Sequence, residues 1–155
     1  PSRRSLQRRL PHAHFTGFLS GDDLGRAMAS LDVFVHTGAD ETFCQAVQEA
    51  MAAGVPVVAP AAGGPVDLVR HGIEAFHYPP DDPALLREAV QSLRLDPVLR
   101  RRMGEQGRHA VAGASWSAVC DHLLDHYREV VATAGFLKRS GSGSVPIRRT
   151  ARRTA

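Results

Sequence analysis

Lysine is almost missing from this 155-residue sequence: Lys138 stands alone against 18 arginines. Aromatic residues are scarce, at 6%, with a single tryptophan. The two cysteines, Cys44 and Cys120, are too few and too far apart for a disulfide framework or for the paired spacing of zinc and redox sites. Their scarcity points to a reducing compartment, the cytoplasm. No run approaches the roughly 20 apolar residues of a membrane-spanning helix. The opening Pro1-Ser2-Arg3-Arg4 lacks the apolar core of a secretory leader. Position 1 is not methionine, so the chain is expected to be a fragment or a processed product.

What is present is an ordinary globular balance, with 43% hydrophobic and 23% charged residues. The formal charge of +3 misleads, because the segment from Leu137 onward holds six basic residues and no acid. The rest has 13 basic and 16 acidic residues, a net charge of −3. A basic nucleic-acid-binding face is therefore not expected on the fold. Residues 137–155, with Gly-Ser repeats and Arg pairs, read as a disordered basic tail, with contact to anionic lipid or nucleic acid as the alternative.

Along the chain, short β-branched runs alternate with helical patterns. Ser2–Leu10 reads as a helix with Leu6 and Leu10 on one face, and Ala13–Phe18 as a short strand before a glycine turn. Asp22 or Asp23 is expected to cap a helix running to about Ser30. Leu31–His36 and Val55–Ala59 read as strands buried on both faces. Between them lie a polar loop, Thr37–Thr42, and a helix from about Cys44 to Ala53, ended by Gly54. A helical turn is expected at Val66–Val69 and a weak strand at Ala75–Tyr78. Asp82-Pro83 and Asp96-Pro97 each start a helix, and Ser115 or Ser117 caps a last one. The alternation implies an α/β fold, a Rossmann-like three-layer sandwich on a parallel sheet, over residues 1–136.

In such sheets ligands sit beyond the carboxyl ends of the strands. Two loops lie there, Thr37–Gln45 and the loop holding Gly63-Gly64, and both run into helix starts, where free N–H groups favour phosphate. Glu41 precedes the helix and Glu49 lies within it. On spacing alone, Glu41 reads as a capping acid and Glu49 as a solvated helix residue. His36, at a strand end, reads first as structural and second as a phosphate contact. Asp67 reads first as a cap and second as a donor contact, His12 and His14 as surface groups, and His109 and His122 as solvated or interface groups. Cys44 lies at a helix start but has no base or resolving cysteine in sequence reach. No metal-ligand cluster is legible.

The wider string runs Glu41-Thr42-Phe43-Cys44-Gln45-Ala46-Val47-Gln48-Glu49-Ala50-Met51-Ala52-Ala53-Gly54-Val55-Pro56-Val57-Val58-Ala59, then Gly63-Gly64. It resembles the donor-site signature of the retaining glycosyltransferase family 4. Phe15-Thr16-Gly17-Phe18-Leu19 is similar to that family's strand and turn beside the nucleotide base, and Trp116-Ser117 through Tyr127-Arg128 to its final helix. The wording is most similar to actinobacterial GDP-mannose-dependent α-mannosyltransferases.

The resemblance implies the C-terminal, donor-binding half of a two-domain GT-B enzyme. It assigns Glu41 to the catalytic centre, on the hydroxyls of the transferred sugar, and Glu49 to the ribose hydroxyls. Backbone at Phe43, Cys44 and Gln45 would hold the diphosphate, and backbone at Phe18, Leu19 and Gly21 would pack on the base. Gly63 and Gly64 would let the chain pass close to the donor. The implied reaction moves a hexose, expected to be mannose from GDP-mannose, to a hydroxyl with retention, without a cofactor or metal. A lipid or glycan acceptor would be held by a domain upstream of residue 1, as would a basic pair facing the diphosphate. The fragment alone is expected to be inactive, in the cytoplasm or at the inner face of the membrane. Many family members carry Gly where Thr42 and Cys44 stand. A non-catalytic nucleotide-binding remnant and an epimerase or phosphorylase relative are the alternatives.

Overall fold

The computed structural model describes the backbone of residues 2–140 and the side chains through residue 134. Its elements are α1 (Arg3–Arg9), α2 (Gly21–Ala29), β1 (Phe34–Val35), α3 (Gln45–Ala52), β2 (Val57–Pro60), α4 (Gly64–Leu68), β3 (Ala75–Tyr78), α5 (Pro83–Leu95), α6 (Pro97–Val111) and α7 (Trp116–Ser140). The described strands form one parallel sheet in the order β1-β2-β3.

The sheet is layered because successive side chains of a strand point to opposite faces. Val57 and Ala59 of β2 join Val47, Ala50, Met51, Val69 and Ala75 in one buried cluster, with Met28 of α2 packed against it. Val58 between them points the other way, into a cluster with Tyr78, Leu93 and Met103. One face is thus covered by α3 and α4, the other by α5 and α6. Met51, Leu93 and Met103 are fully buried, each contributing on the order of 1.5–3 kcal/mol.

Helix ends follow from local chemistry. Asp82 Oδ1 accepts from the amides of Ala84 and Leu85, and Asp96 Oδ1 from those of Val98 and Leu99, all at 2.9–3.0 Å. A proline follows each cap, where its missing N–H costs nothing. Gly54, at φ +75°, closes α3. Its amide bonds the Met51 carbonyl and that of Val55 the Ala50 carbonyl, the paired bonds of a Schellman motif.

Several boundaries differ from the sequence expectations. Ala13–Phe18 is not a strand: no strand among the described residues offers it a ladder, and the Phe15 carbonyl instead accepts from the Arg3 guanidinium at 3.0 Å. Leu31–His36 shrinks to Phe34–Val35, and Val55–Ala59 shifts to Val57–Pro60, because parallel pairing exists only where the two strands overlap. Ser20, not Asp22 or Asp23, is the N-cap of α2; both acids sit in its first turn, where the helix dipole favours them. Asp67 caps nothing: Gly63 is the N-cap of α4 and no side chain bonds that end.

The chain divides into two units, Pro1–Ala112 and Gly113–Ala155. The second holds α7, whose start is set by Ser115 Oγ accepting from the Ala118 amide at 3.2 Å. The helix continues through Ser140, past the expected boundary at Phe136, since Leu137, Lys138 and Arg139 are good helix formers. The rest of the expected tail, 141–155, lies outside the described residues. No helix among the described residues is long and apolar enough to cross a membrane.

Two features of the first unit carry tests. Glu74, buried just before β3, accepts from the Arg70 amide at 2.9 Å and from its guanidinium. Burial pushes its pKa up, but the hydrogen bonds and charge of Arg70 outweigh that and leave it below the ordinary value. A depressed carboxyl stabilises the fold above its unfolded pKa and loses that contribution as pH falls through the folded one. Glu74→Gln should therefore lower the urea midpoint at neutral pH, with the gap to the parent closing below the ordinary carboxylate range. Separately, a Cβ on Gly104 of α6 would overlap the Gly54 carbonyl oxygen. Gly104→Ala should cost about 1–3 kcal/mol by urea unfolding, despite the better helix propensity of alanine.

Candidate functional site

The carboxyl ends of β1 and β2 lead into the two loops that build the site. β1 is held to β2 through its ends: the Phe34 amide bonds the Pro56 carbonyl at 3.0 Å and the His36 amide the Val58 carbonyl at 2.8 Å. The buried Tyr78 hydroxyl donates to the His36 carbonyl at 3.2 Å, and burial pushes that phenol's pKa up. From His36 the chain makes a short excursion and returns at Cys44, the N-cap of α3.

Cys44 is the one non-glycine residue in the described chain with positive φ, at φ 49° and ψ 49°. This left-handed conformation costs a residue with a Cβ roughly 1–2 kcal/mol. The bend turns the backbone sharply into α3. No described side chain caps that helix end; the Val47 amide bonds the Cys44 carbonyl, and the amides of Gln45 and Ala46 are left open to an external acceptor, with the helix dipole favouring an anion.

The second loop supports the first by contact of main chain on main chain. The Gly64 amide donates to the Glu41 carbonyl at 2.7 Å. A Cβ on Gly63 would overlap the Ala39 carbonyl oxygen and lie 2.8 Å from that of Glu41; one on Gly64 would lie 2.5 Å from that of Thr42. Gly63 also sits at φ +62°. The sequence reading gave these glycines to the approach of a donor. The structure shows another reason for them: they let the second loop nest against residues 39–42.

The expected site residues distribute as follows. Glu41 lies on the loop with its side chain 55% exposed, its carboxylate 3.8 Å from His36 Nε2. Glu49 lies one turn into α3 and accepts from Gln45 Nε2 at 3.2 Å. Phe43 is exposed, and its carbonyl accepts from Gln48 Nε2 at 3.1 Å. Cys44 is buried. Phe18 is almost fully exposed and Leu19 half-buried, and Gly21 opens α2. No hydrogen bond among the described residues ties Phe18, Leu19 or Gly21 to the 37–45 loop.

One grouping was missed in the sequence. Cys44 does have a base beside it: His36 Nε2 lies 4.0 Å from its Sγ. With Glu41, the three potential metal-ligand atoms lie within 4.8 Å of one another, although no metal cluster was legible. Burial and then the Glu41 charge raise the Cys44 pKa, so the thiol stays protonated at neutral pH. Recognising that the loop leaves β1 and returns directly to α3 would have brought His36 and Cys44 together.

Comparison with known proteins places this geometry in a class. A model of the family "Glycosyl transferases group 1" matches residues 2–110, and the chain belongs to that family. It is 49% identical over 136 residues to a GDP-mannose-dependent alpha-mannosyltransferase of Mycolicibacterium smegmatis, covering 83% of this chain and 34% of that protein. Against the Corynebacterium glutamicum protein of the same name it is 42% identical over 132 residues, covering 85% and 32%. Among solved structures it is similar to Anabaena HepE in complex with UDP-glucose, with a TM-score of 0.73 and 25% identity over 81% of this chain and 36% of that one. The chain thus spans about a third of the length of these relatives. The parallel α/β fold expected from the sequence is borne out.

The nesting of the loops is open to test. Gly64→Ala should unseat residues 39–42 and destabilise the first unit by about 1–3 kcal/mol. Amide exchange of Thr42 and Phe43 should rise with it, measured by hydrogen–deuterium exchange.

Proposed function

We propose that this chain is the donor-binding part of a retaining hexosyltransferase that takes mannose from GDP-mannose. The observation that carries this reading is the uncapped start of α3, turned by Cys44 and bracketed by Glu41 before it and Glu49 within it. An uncapped helix start suits a diphosphate. A carboxylate offers two acceptor oxygens, suited to adjacent hydroxyls on one ring. Glu49 would hold the ribose and Glu41, as catalytic residue, the hexose. Backbone at Phe43, Cys44 and Gln45 would meet the diphosphate, that of Phe18, Leu19 and Gly21 the base, and Gly63-Gly64 would hold the loop in place. The names of the mannosyltransferase relatives support the donor, and the UDP-glucose complex of HepE supports a nucleotide sugar.

In the reaction the acceptor oxygen bonds to the anomeric carbon on the face from which the phosphate oxygen leaves. The acceptor proton passes to the departing nucleoside diphosphate, whose charge the α3 amides would stabilise. No side-chain nucleophile, cofactor or metal is needed for that step. The acceptor would be a lipid or glycan hydroxyl presented by a further domain of the whole enzyme, at the inner face of the cell membrane.

Calorimetry with GDP and GDP-mannose tests the roles. Glu49→Ala should weaken both ligands by about 1–3 kcal/mol, the loss of charge-assisted hydrogen bonds. Glu41→Ala should weaken GDP-mannose while leaving GDP nearly unchanged. Equal losses for the two ligands in Glu41→Ala would remove its hexose role, and unchanged affinities in Glu49→Ala its ribose role.

A further inference from the structure

The transfer chemistry uses Glu41 but gives no role to the side chains of His36 and Cys44 beside it. His36 Nε2 lies 4.0 Å from Cys44 Sγ and 3.8 Å from Glu41 Oε2, and all three atoms fall within 4.8 Å. Zinc binds such ligands tetrahedrally at about 2.0–2.3 Å, which sets the ligand atoms roughly 3.3–3.7 Å apart. The grouping is slightly wider than that. Two of its members are buried, whereas Glu41 is half exposed and free to swing inward. The backbone beneath is braced, with Tyr78 on the His36 carbonyl and Gly64 on the Glu41 carbonyl.

Cys44 Sγ is buried, yet lies close to His36 Nε2 and the Glu41 carboxylate. A divalent cation bound there would deprotonate the coordinating thiol outright. Imidazole, thiolate and carboxylate together are the donor set of a borderline-soft ion rather than of magnesium or calcium. We infer that His36, Glu41 and Cys44 form a three-ligand zinc site at the mouth of the donor loop, with its fourth position open. Zinc there takes the Glu41 carboxylate, so zinc and the hexose of the nucleotide sugar compete for it. That consequence, unlike the metal site itself, rests on the donor-site reading above.

Cobalt(II) substitutes for zinc in such sites and shows thiolate ligation as a near-ultraviolet charge-transfer band. The full chain titrated with Co2+ should show this band with tetrahedral visible bands, and Zn2+ should abolish them. Elsewhere, on α7, His122 and His126 stack at 5.2 Å and Cys120 is exposed, so these residues need a control. The bands should therefore survive Cys120→Ser and the double substitution His122→Asn, His126→Asn. They should vanish in Cys44→Gly, which also relieves the left-handed backbone and so protects the fold. Affinity for Co2+ should fall at least about tenfold in His36→Asn, as removal of a ligand requires. No band in the parent chain, a band persisting in Cys44→Gly, or one lost in Cys120→Ser would overturn the site.

Competition is read from GDP-mannose affinity with saturating Zn2+ and with EDTA. It should fall at least about tenfold with zinc in the parent and not in Cys44→Gly. Chelation of zinc by free donor affects both proteins alike and drops out of the comparison. Equal zinc effects on both would overturn the competition. A parent chain that binds no donor even in EDTA would defeat the donor-site reading while the cobalt spectra still decide the metal site.

Discussion

The contact of the Gly63-Gly64 backbone with the backbone of residues 39–42 is the constraint on which the site depends. A main-chain hydrogen bond of 2.7 Å, from Gly64 to Glu41, joins two loops that leave neighbouring strands. Any side chain at either glycine would force them apart. Because they nest, the first loop has little freedom. It must bend back on itself to enter α3, and the bend falls on Cys44 in a conformation that a residue with a Cβ tolerates poorly. Strain of this kind persists only where the surroundings enforce it, and the buried thiol and the nested loop supply that enforcement.

From this bend follow both chemical properties of the region. The helix start is left without a side-chain cap, which presents unpaired N–H groups to whatever lies outside. The return of the chain also carries Cys44 back to the end of β1, where His36 is fixed by its own ladder bond and by Tyr78. Glu41, on the outer arc of the bend, is the exposed member of the group. The sheet beneath is conventional, with apolar β2 side chains alternating between two helical layers. Its role is to hold two strand ends at ladder spacing so that their loops meet.

Much of the architecture was legible because the local chemistry was unambiguous. Each Asp-Pro pair does start a helix, since a carboxylate that can reach two amides and a proline that needs no partner favour only that arrangement. Gly54 does end α3, and Ala75–Tyr78 is a strand with the expected bounds. The failures share one cause. Ala13–Phe18 has the composition of a strand but no described neighbour to pair with. Leu31–His36 pairs only where β2 lies alongside. A strand is defined by its partner, and a run of β-branched residues does not contain that partner. Asp67 failed as a cap for a related reason, because the approach of the two loops placed Gly63 at that helix start.

By itself the sequence determined the alternation of elements, the Asp-Pro helix starts at Asp82 and Asp96, the family and the residues Glu41, Glu49, Gly63 and Gly64 as those to watch. All of these depend on interactions within a few residues or on a contiguous motif. The tertiary structure alone decided why the two glycines are glycines, that Cys44 is left-handed and buried, and that His36, Glu41 and Cys44 meet. Each of these is a contact between segments brought together by sheet pairing and loop packing. Residue type permits such a contact, but the distance across it exists only once the backbone has closed.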